Sequence, residues 1–177
     1  MKILVITGSP HKAGSTDCLA ARFIEGAKEA GHDVVRFDAA FKSIHPCMAC
    51  EHCHNTDKGC VYHDDMDELN ATLLSAEAVV LVSPVYYYAV NAQIKAAIDR
   101  FYANDKALHG GKKAALILAM GDDTMESAQG PLASFKGMCG WLEWQEAGTV
   151  IASSCYTRDD VLKSDAPQRA YELGRSM

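Results

Sequence analysis

Lys2-Ile3-Leu4-Val5-Ile6-Thr7-Gly8-Ser9-Pro10-His11-Lys12-Ala13-Gly14-Ser15-Thr16 holds a strand, a loop and the first residues of a helix in one short stretch. Lys2 to Thr7 is an apolar, β-branched run of the kind buried on both faces of a parallel sheet. From Thr16 the period changes. Leu19, Phe23, Ala27 and Ala30 recur at helical spacing, and Gly31 supplies the stop. The loop between strand and helix carries the hydroxyls of Ser9, Ser15 and Thr16, glycines that permit a close approach, and the free backbone N–H groups of a helix start. Such a loop suits a phosphate dianion. It matches neither the GxGxxG of dinucleotide sites nor the GxxxxGK[ST] of nucleoside triphosphate sites, which leaves a monophosphate as the better match. The plain alternative is a turn followed by a Ser/Thr helix cap.

Outward from this stretch, strands and helices alternate. Val34 to Phe37 forms a second strand. Met66, Leu69 and Leu73 mark a helix whose start holds Asp64, Asp65, Asp67 and Glu68, the end favoured for acids by the helix dipole. Ala78 to Ser83 is a third strand, ended by Pro84. Ile94, Ile98 and Phe101 give the next helix and Ala114 to Met120 the fourth strand. Leu132, Phe135, Cys139 and Leu142 form a further helix with Pro131 in its first turn and Gly148 as its stop. Thr149 to Ala152 is a fifth strand and Ala166 to Arg175 a final helix. This alternation implies a parallel sheet with right-handed crossovers and helices on both faces, a doubly wound α/β domain. No repeat, linker or low-complexity stretch interrupts it, so residues 1–177 read as a single domain, with a cysteine-rich loop at 44–63 inserted after the second strand.

Three segments carry a resemblance: GSPHKAGST at 8–16, SPVYYYAVNAQIKAAIDR at 83–100, and Asp64-Asp65-Met66. With them the sequence resembles the flavodoxin-like NAD(P)H-dependent FMN reductases over most of its length to about residue 152. The resemblance implies a flavodoxin-like three-layer fold with a five-stranded parallel sheet. It implies that Ser9, Lys12, Ser15 and Thr16 hold the FMN phosphate, and that Pro84, Val85, Tyr86, Tyr87 and Tyr88 wrap the isoalloxazine ring. Physical grounds support the second assignment. Pro84 to Tyr88 follows a buried strand on the same rim as the phosphate loop and offers aromatics and backbone N–H groups, as a flat ring with polar edges needs. Neighbouring side chains cannot all face one ligand, so at least one of these tyrosines is a packing residue. Met120-Gly121-Asp122-Asp123-Thr124 completes the rim, with Gly121 as a further contact. Relatives are glycine-rich here, whereas this chain has one glycine and two acids, which fit a solvated turn or helix cap as well as a ligand contact.

Cys47-Met-Ala-Cys50-Glu-His-Cys53 followed by Cys60 places four cysteines at x2, x2 and x6 spacing. The spacing resembles the compact motif of the iron-sulfur flavoproteins, in which Cys47, Cys50, Cys53 and Cys60 would hold one [4Fe-4S] cluster. Zinc is a rival, with His45, His52, His54 and His63 close by, although zinc sites usually pair their ligands across a longer insert. A loop without metal is the third reading. Cys18 and Cys139 fall on apolar helix faces and read as core residues; Cys155 has no reading.

A net charge of -6 with scattered Lys and Arg excludes a nucleic-acid stripe. The longest apolar run, Ala114 to Met120, is far too short to span a membrane. An odd number of cysteines, seven, and an N-terminus without a signal-peptide pattern point to reduced thiols in the cytoplasm. The expected function is electron transfer from NAD(P)H through FMN to an acceptor such as a quinone, a nitro compound, a metal ion or a ferredoxin-like protein. The resemblance further implies a homodimer or higher homo-oligomer. The alternatives are an electron carrier that uses the cluster and a non-enzymatic, zinc-stabilised binding module.

Overall fold

A computed structural model describes residues 1–56 and 58–177. Its sheet contains β1 (Lys2–Thr7), β2 (Asp33–Asp38), β3 (Ala78–Tyr86), β5 (Lys113–Ala119) and β6 (Gln145–Ala152) in the order β2-β1-β3-β5-β6, all neighbours parallel. A short β4 (Ala89–Val90) pairs antiparallel with the end of β3. The parallel order is the flavodoxin-like one, with its switch point between β1 and β3.

The helices are α1 (Ser15–Glu29), α2 (His52–Asn55), α3 (Met66–Ser75), α4 (Ala92–Asp99), α5 (Asp105–Leu108), α6 (Gln129–Leu142), α7 (Arg158–Lys163) and α8 (Ala166–Arg175). Two apolar layers sandwich the sheet. Leu4, Ile6, Val79, Leu81, Leu116 and Leu118 face α3, α4 and α6, while Ile3, Val5, Val80, Val82 and Ile117 face α1, α7 and α8. The alternation of side chains along each central strand feeds both layers, which is why these strands read as unbroken apolar runs. Among the described residues, no helix is long and apolar enough to cross a membrane.

Three details depart from the sequence reading. Pro84 does not end β3, which runs on to Tyr86 because Val85 and Tyr86 pair with Val90 and Ala89. Gly148 does not stop α6; the left-handed Glu143 does so, and Gly148 lies inside β6 beside a register shift against Ala114 and Ala115. A Cβ at Gly148 would come within 2.7 Å of Leu173, so the glycine admits α8 against the strand. Finally, β6 begins at Gln145 rather than Thr149. Gly31 ends α1 as expected, at φ 83°, with its N–H bonded to Lys28 O at 3.0 Å.

Candidate functional site

The carboxyl ends of β1, β3, β5 and β6 open into one trough. Its first part, about 670 Å3 and open to solvent, is lined by Ser9 and residues 11–16 of the β1–α1 loop, by Pro84, Val85 and Tyr86, by Met120 and Gly121, and by Cys155 to Arg158. Its second part shares Val85, Tyr86, Met120 and Gly121 and continues past Tyr87 and Tyr88. The structure thus brings Ser9, Lys12, Ser15, Thr16, Pro84, Val85, Tyr86 and Gly121 to one cleft, and places Tyr87 and Tyr88 at its outer lip.

The β1–α1 loop ends in an uncapped helix. Gly14 is the N-cap of α1 and no side chain bonds the first-turn N–H groups. This overturns the plain Ser/Thr cap and leaves those donors facing the cleft. Ala13, at φ 59°, bends the loop inward, and Ser9 Oγ accepts from His11 N at 3.1 Å. Lys12 extends to the ring of Phe41, 4.8 Å from its centroid, at the border with a second hollow. In that hollow charges are already matched, Arg36 by Asp17 and Asp38 at 2.7 Å each and Lys42 by Glu68.

Asn91 is the buttress that the sequence reading missed. Fully buried, it donates from Nδ2 to Gly8 O, while its backbone N–H donates to Ser83 Oγ at 3.0 Å. It therefore ties the β1 loop to β3. A Cβ on Gly8 would lie 2.1 Å from Asn91 Oδ1, so only glycine allows the contact. Missed too was the segment after β6. Thr157 and Asp160 form a capping box that starts α7 and presents Arg158, whose Nη1 lies 3.4 Å from Ala13 O and 3.8 Å from Asp17 Oδ2. A Thr-x-x-Asp pattern at the end of the last strand was the available signal. Cys155, unread from sequence, is buried at the cleft wall. Cys18 and Cys139 are core residues, as expected.

Tyr86-Tyr87-Tyr88-Ala89 is a two-residue hairpin. Tyr87 and Tyr88 adopt φ 47° and 62°, a pairing normally met by Asn-Gly. Two bulky residues in the left-handed region store strain, and packing holds them there: a Cβ on Gly130 at the start of α6 would lie 2.1 Å from Tyr88 O. Tyr87 is fully exposed, at 100%. Asp122 accepts bonds from Thr124 N at 3.2 Å and from the Ser127 hydroxyl, so it caps its own turn, and the Ser127 bond foremost lowers its pKa.

The cysteine loop lies along the end of α4. Cys47, Cys50, Cys53 and Cys60 line one narrow hollow together with Tyr62, Arg100 and Tyr102. Burial foremost, with smaller contributions from Cys60, Cys47 and Cys50, pushes the Cys53 thiol up. Ala49 and Glu51 are left-handed, at φ 53° and 57°, and wrap the chain around the hollow. Among the described residues no group of three or more His, Cys, Asp or Glu already stands in metal-holding geometry. The four cysteines are nonetheless a sulfur-only donor set on one apolar wall, which suits an iron-sulfur cluster. Among the described residues, no histidine lines the hollow. His45 stacks on Tyr62 and bonds Asp64, His54 bonds Tyr102 O at 2.9 Å, and His63 faces Asp67.

The family model described as NADPH-dependent FMN reductase matches residues 1–154. An iron-sulfur flavoprotein of Methanocaldococcus jannaschii is 34% identical over 127 residues, covering 70% of this chain and 63% of that protein. One from Archaeoglobus fulgidus is 35% identical over 133 residues, covering 73% and 60%. The chain thus spans about six tenths of the length of these relatives. Among solved structures, an NAD(P)H:quinone oxidoreductase from Methanothermobacter marburgensis superposes with TM-score 0.79 at 17% identity, covering 99% of this chain and 96% of that one. An azoreductase from Bacillus anthracis gives 0.78, also at 17%, covering 99% of both. At such identities the superpositions bear on the fold. From the match over residues 1–154, the chain belongs to the NADPH-dependent FMN reductase family.

Proposed function

We propose that this chain is an FMN-dependent oxidoreductase that takes electrons from NAD(P)H and passes them to a small-molecule or protein acceptor. The observation that carries the reading is the uncapped start of α1 facing the β3 end across one trough. Ser9, Lys12, Ser15 and Thr16, with the first N–H groups of α1, would hold the phosphate, and Arg158 adds a cation at the same end. Pro84, Val85, Tyr86 and Gly121 would line the ring. FMN supplies hydride acceptance at its N5 and release to an acceptor. The protein's own work is to orient the ring and the incoming nicotinamide, so no side-chain acid or base is assigned.

Tyr87 and Tyr88 at the outer lip make a second copy of the chain a natural cover for the open side, as a homodimer. Cys47, Cys50, Cys53 and Cys60 would hold a [4Fe-4S] cluster, a one-electron centre, and would fit the relatives' description as iron-sulfur flavoproteins. Four thiols of this kind belong in a reducing compartment, the cytoplasm. The decisive experiment is an absorbance spectrum with iron, sulfide, zinc and flavin analysis of anaerobically purified protein, followed by NADH and NADPH oxidation. Bound FMN with NAD(P)H turnover supports the oxidoreductase. Colourless protein containing zinc sinks it in favour of a binding module.

A further inference from the structure

Arg100 enters the hollow from the end of α4. Its side chain is 2% exposed, and it is paired with the 4%-exposed Asp64. Nη1 donates to Asp64 Oδ2 at 2.9 Å and to His45 O at 2.8 Å, and Nη2 reaches Asp64 Oδ1 at 3.4 Å. The Tyr62 ring lies beneath the guanidinium, 5.3 Å from its carbon to the centroid. Nε alone among these nitrogens has no partner, although it is buried. A buried guanidinium N–H without an acceptor is unusual, because arginine's fork has a fixed geometry and five donors to satisfy. Cys60 lines the same hollow as Arg100; burial works against the guanidinium's charge, and Asp64 first and then Cys60 hold it charged.

We propose that Arg100 is a positioning residue for the four-cysteine centre, directing its Nε–H and its fixed positive charge at the Cys60 sulfur so as to raise the centre's reduction potential. This inference rests on the cluster reading above. The physical reason is electrostatic. Four thiolates and a cluster carry net negative charge, and one-electron reduction adds another. A nearby N–H donor and a cation stabilise the more negative state, and hydrogen bonds to the sulfurs together with local charge are the protein's means of setting such potentials. Arg100 cannot lose its proton, so the charge is permanent. Asp64, bonded on the far side by the backbone N–H groups of His45 and Met66, at 3.0 Å each, anchors the guanidinium and partly offsets its charge.

The two partners therefore predict shifts of opposite sign. Wild type, Arg100→Lys, Arg100→Gln and Asp64→Asn are purified anaerobically, iron and FMN per chain are counted, and the cluster is titrated with dithionite as electron donor, followed by EPR and visible absorbance. With iron and FMN content unchanged, Arg100→Gln is expected to lower the one-electron equilibrium constant by at least about tenfold, 59 mV. Arg100→Lys should lower it less, and Asp64→Asn should raise it. Equal potentials in all four proteins overturn the proposal. So does a shift of the same sign at both positions, which marks a loop merely loosened. If the Arg100 variants keep FMN but take up no iron, Arg100 is a scaffold of the loop and the tuning role falls. Wild type that binds FMN and no iron removes the cluster reading itself, a result distinct from all of these.

Discussion

Asp64 shows how a single carboxylate is set by its neighbours. Burial alone would raise its pKa, yet the Arg100 guanidinium and the N–H groups of His45 and Met66 bring it down from 3.8 to about 2. A depressed carboxylate pKa contributes stability that is present above the unfolded value and lost as pH falls through the folded one. The shift corresponds to about 2 kcal/mol. Asp64→Asn is therefore expected to lower stability by about 2 kcal/mol or more at pH 7, since it also leaves Arg100 without its counter-charge. The difference from wild type should shrink between about pH 4 and pH 2, as urea midpoints across that range would show. A pH-independent difference counts against the assignment. Arg158 stands at the other site, against the β1–α1 loop. Arg158→Ala should weaken FMN binding about tenfold, about 1.4 kcal/mol, read from quenching of flavin fluorescence. Unchanged affinity would remove Arg158 from the phosphate end. The residues of the β1–α1 loop were legible because they sit in one short stretch. Arg158 was not, because its contact with Ala13 spans 145 positions.

Among the elements, the Tyr86–Ala89 hairpin departs furthest from local preference. Sequence reasoning ended the strand at Pro84, because a two-residue hairpin normally announces itself with Asn-Gly and here the turn residues are Tyr87 and Tyr88. Left-handed conformations at such residues cost about 1–2 kcal/mol each. Replacing the pair, Tyr87→Asn with Tyr88→Gly, is expected to stabilise the isolated chain by about 2 kcal/mol in urea unfolding. A loss of stability would mean that the aromatic rings pack more than their exposure suggests. The reverse error occurred at Gly148, a residue that reads as a helix stop but is needed so that Leu173 of α8 can approach the strand. In both places packing against another element outweighed the local signal.

For the whole molecule, the same double variant separates folding from assembly. If the hairpin tip is the cover between two copies, wild type elutes as a dimer in size-exclusion chromatography and the stabilised variant shifts toward monomer at equal concentration. An identical elution volume would place any interface elsewhere. The sequence alone determined the alternation of the five main strands with their long helices, the glycine- and hydroxyl-rich make-up of the β1–α1 loop and the spacing of the four cysteines, because each is written in periodicity or spacing within a short window. Only the tertiary structure decided that Asn91 braces the loop, that Arg158 and Cys155 join the cleft, and that Arg100 and Asp64 close on the cysteine hollow. Those contacts bring together side chains far apart along the chain, and no local pattern encodes a distance set by how the layers pack.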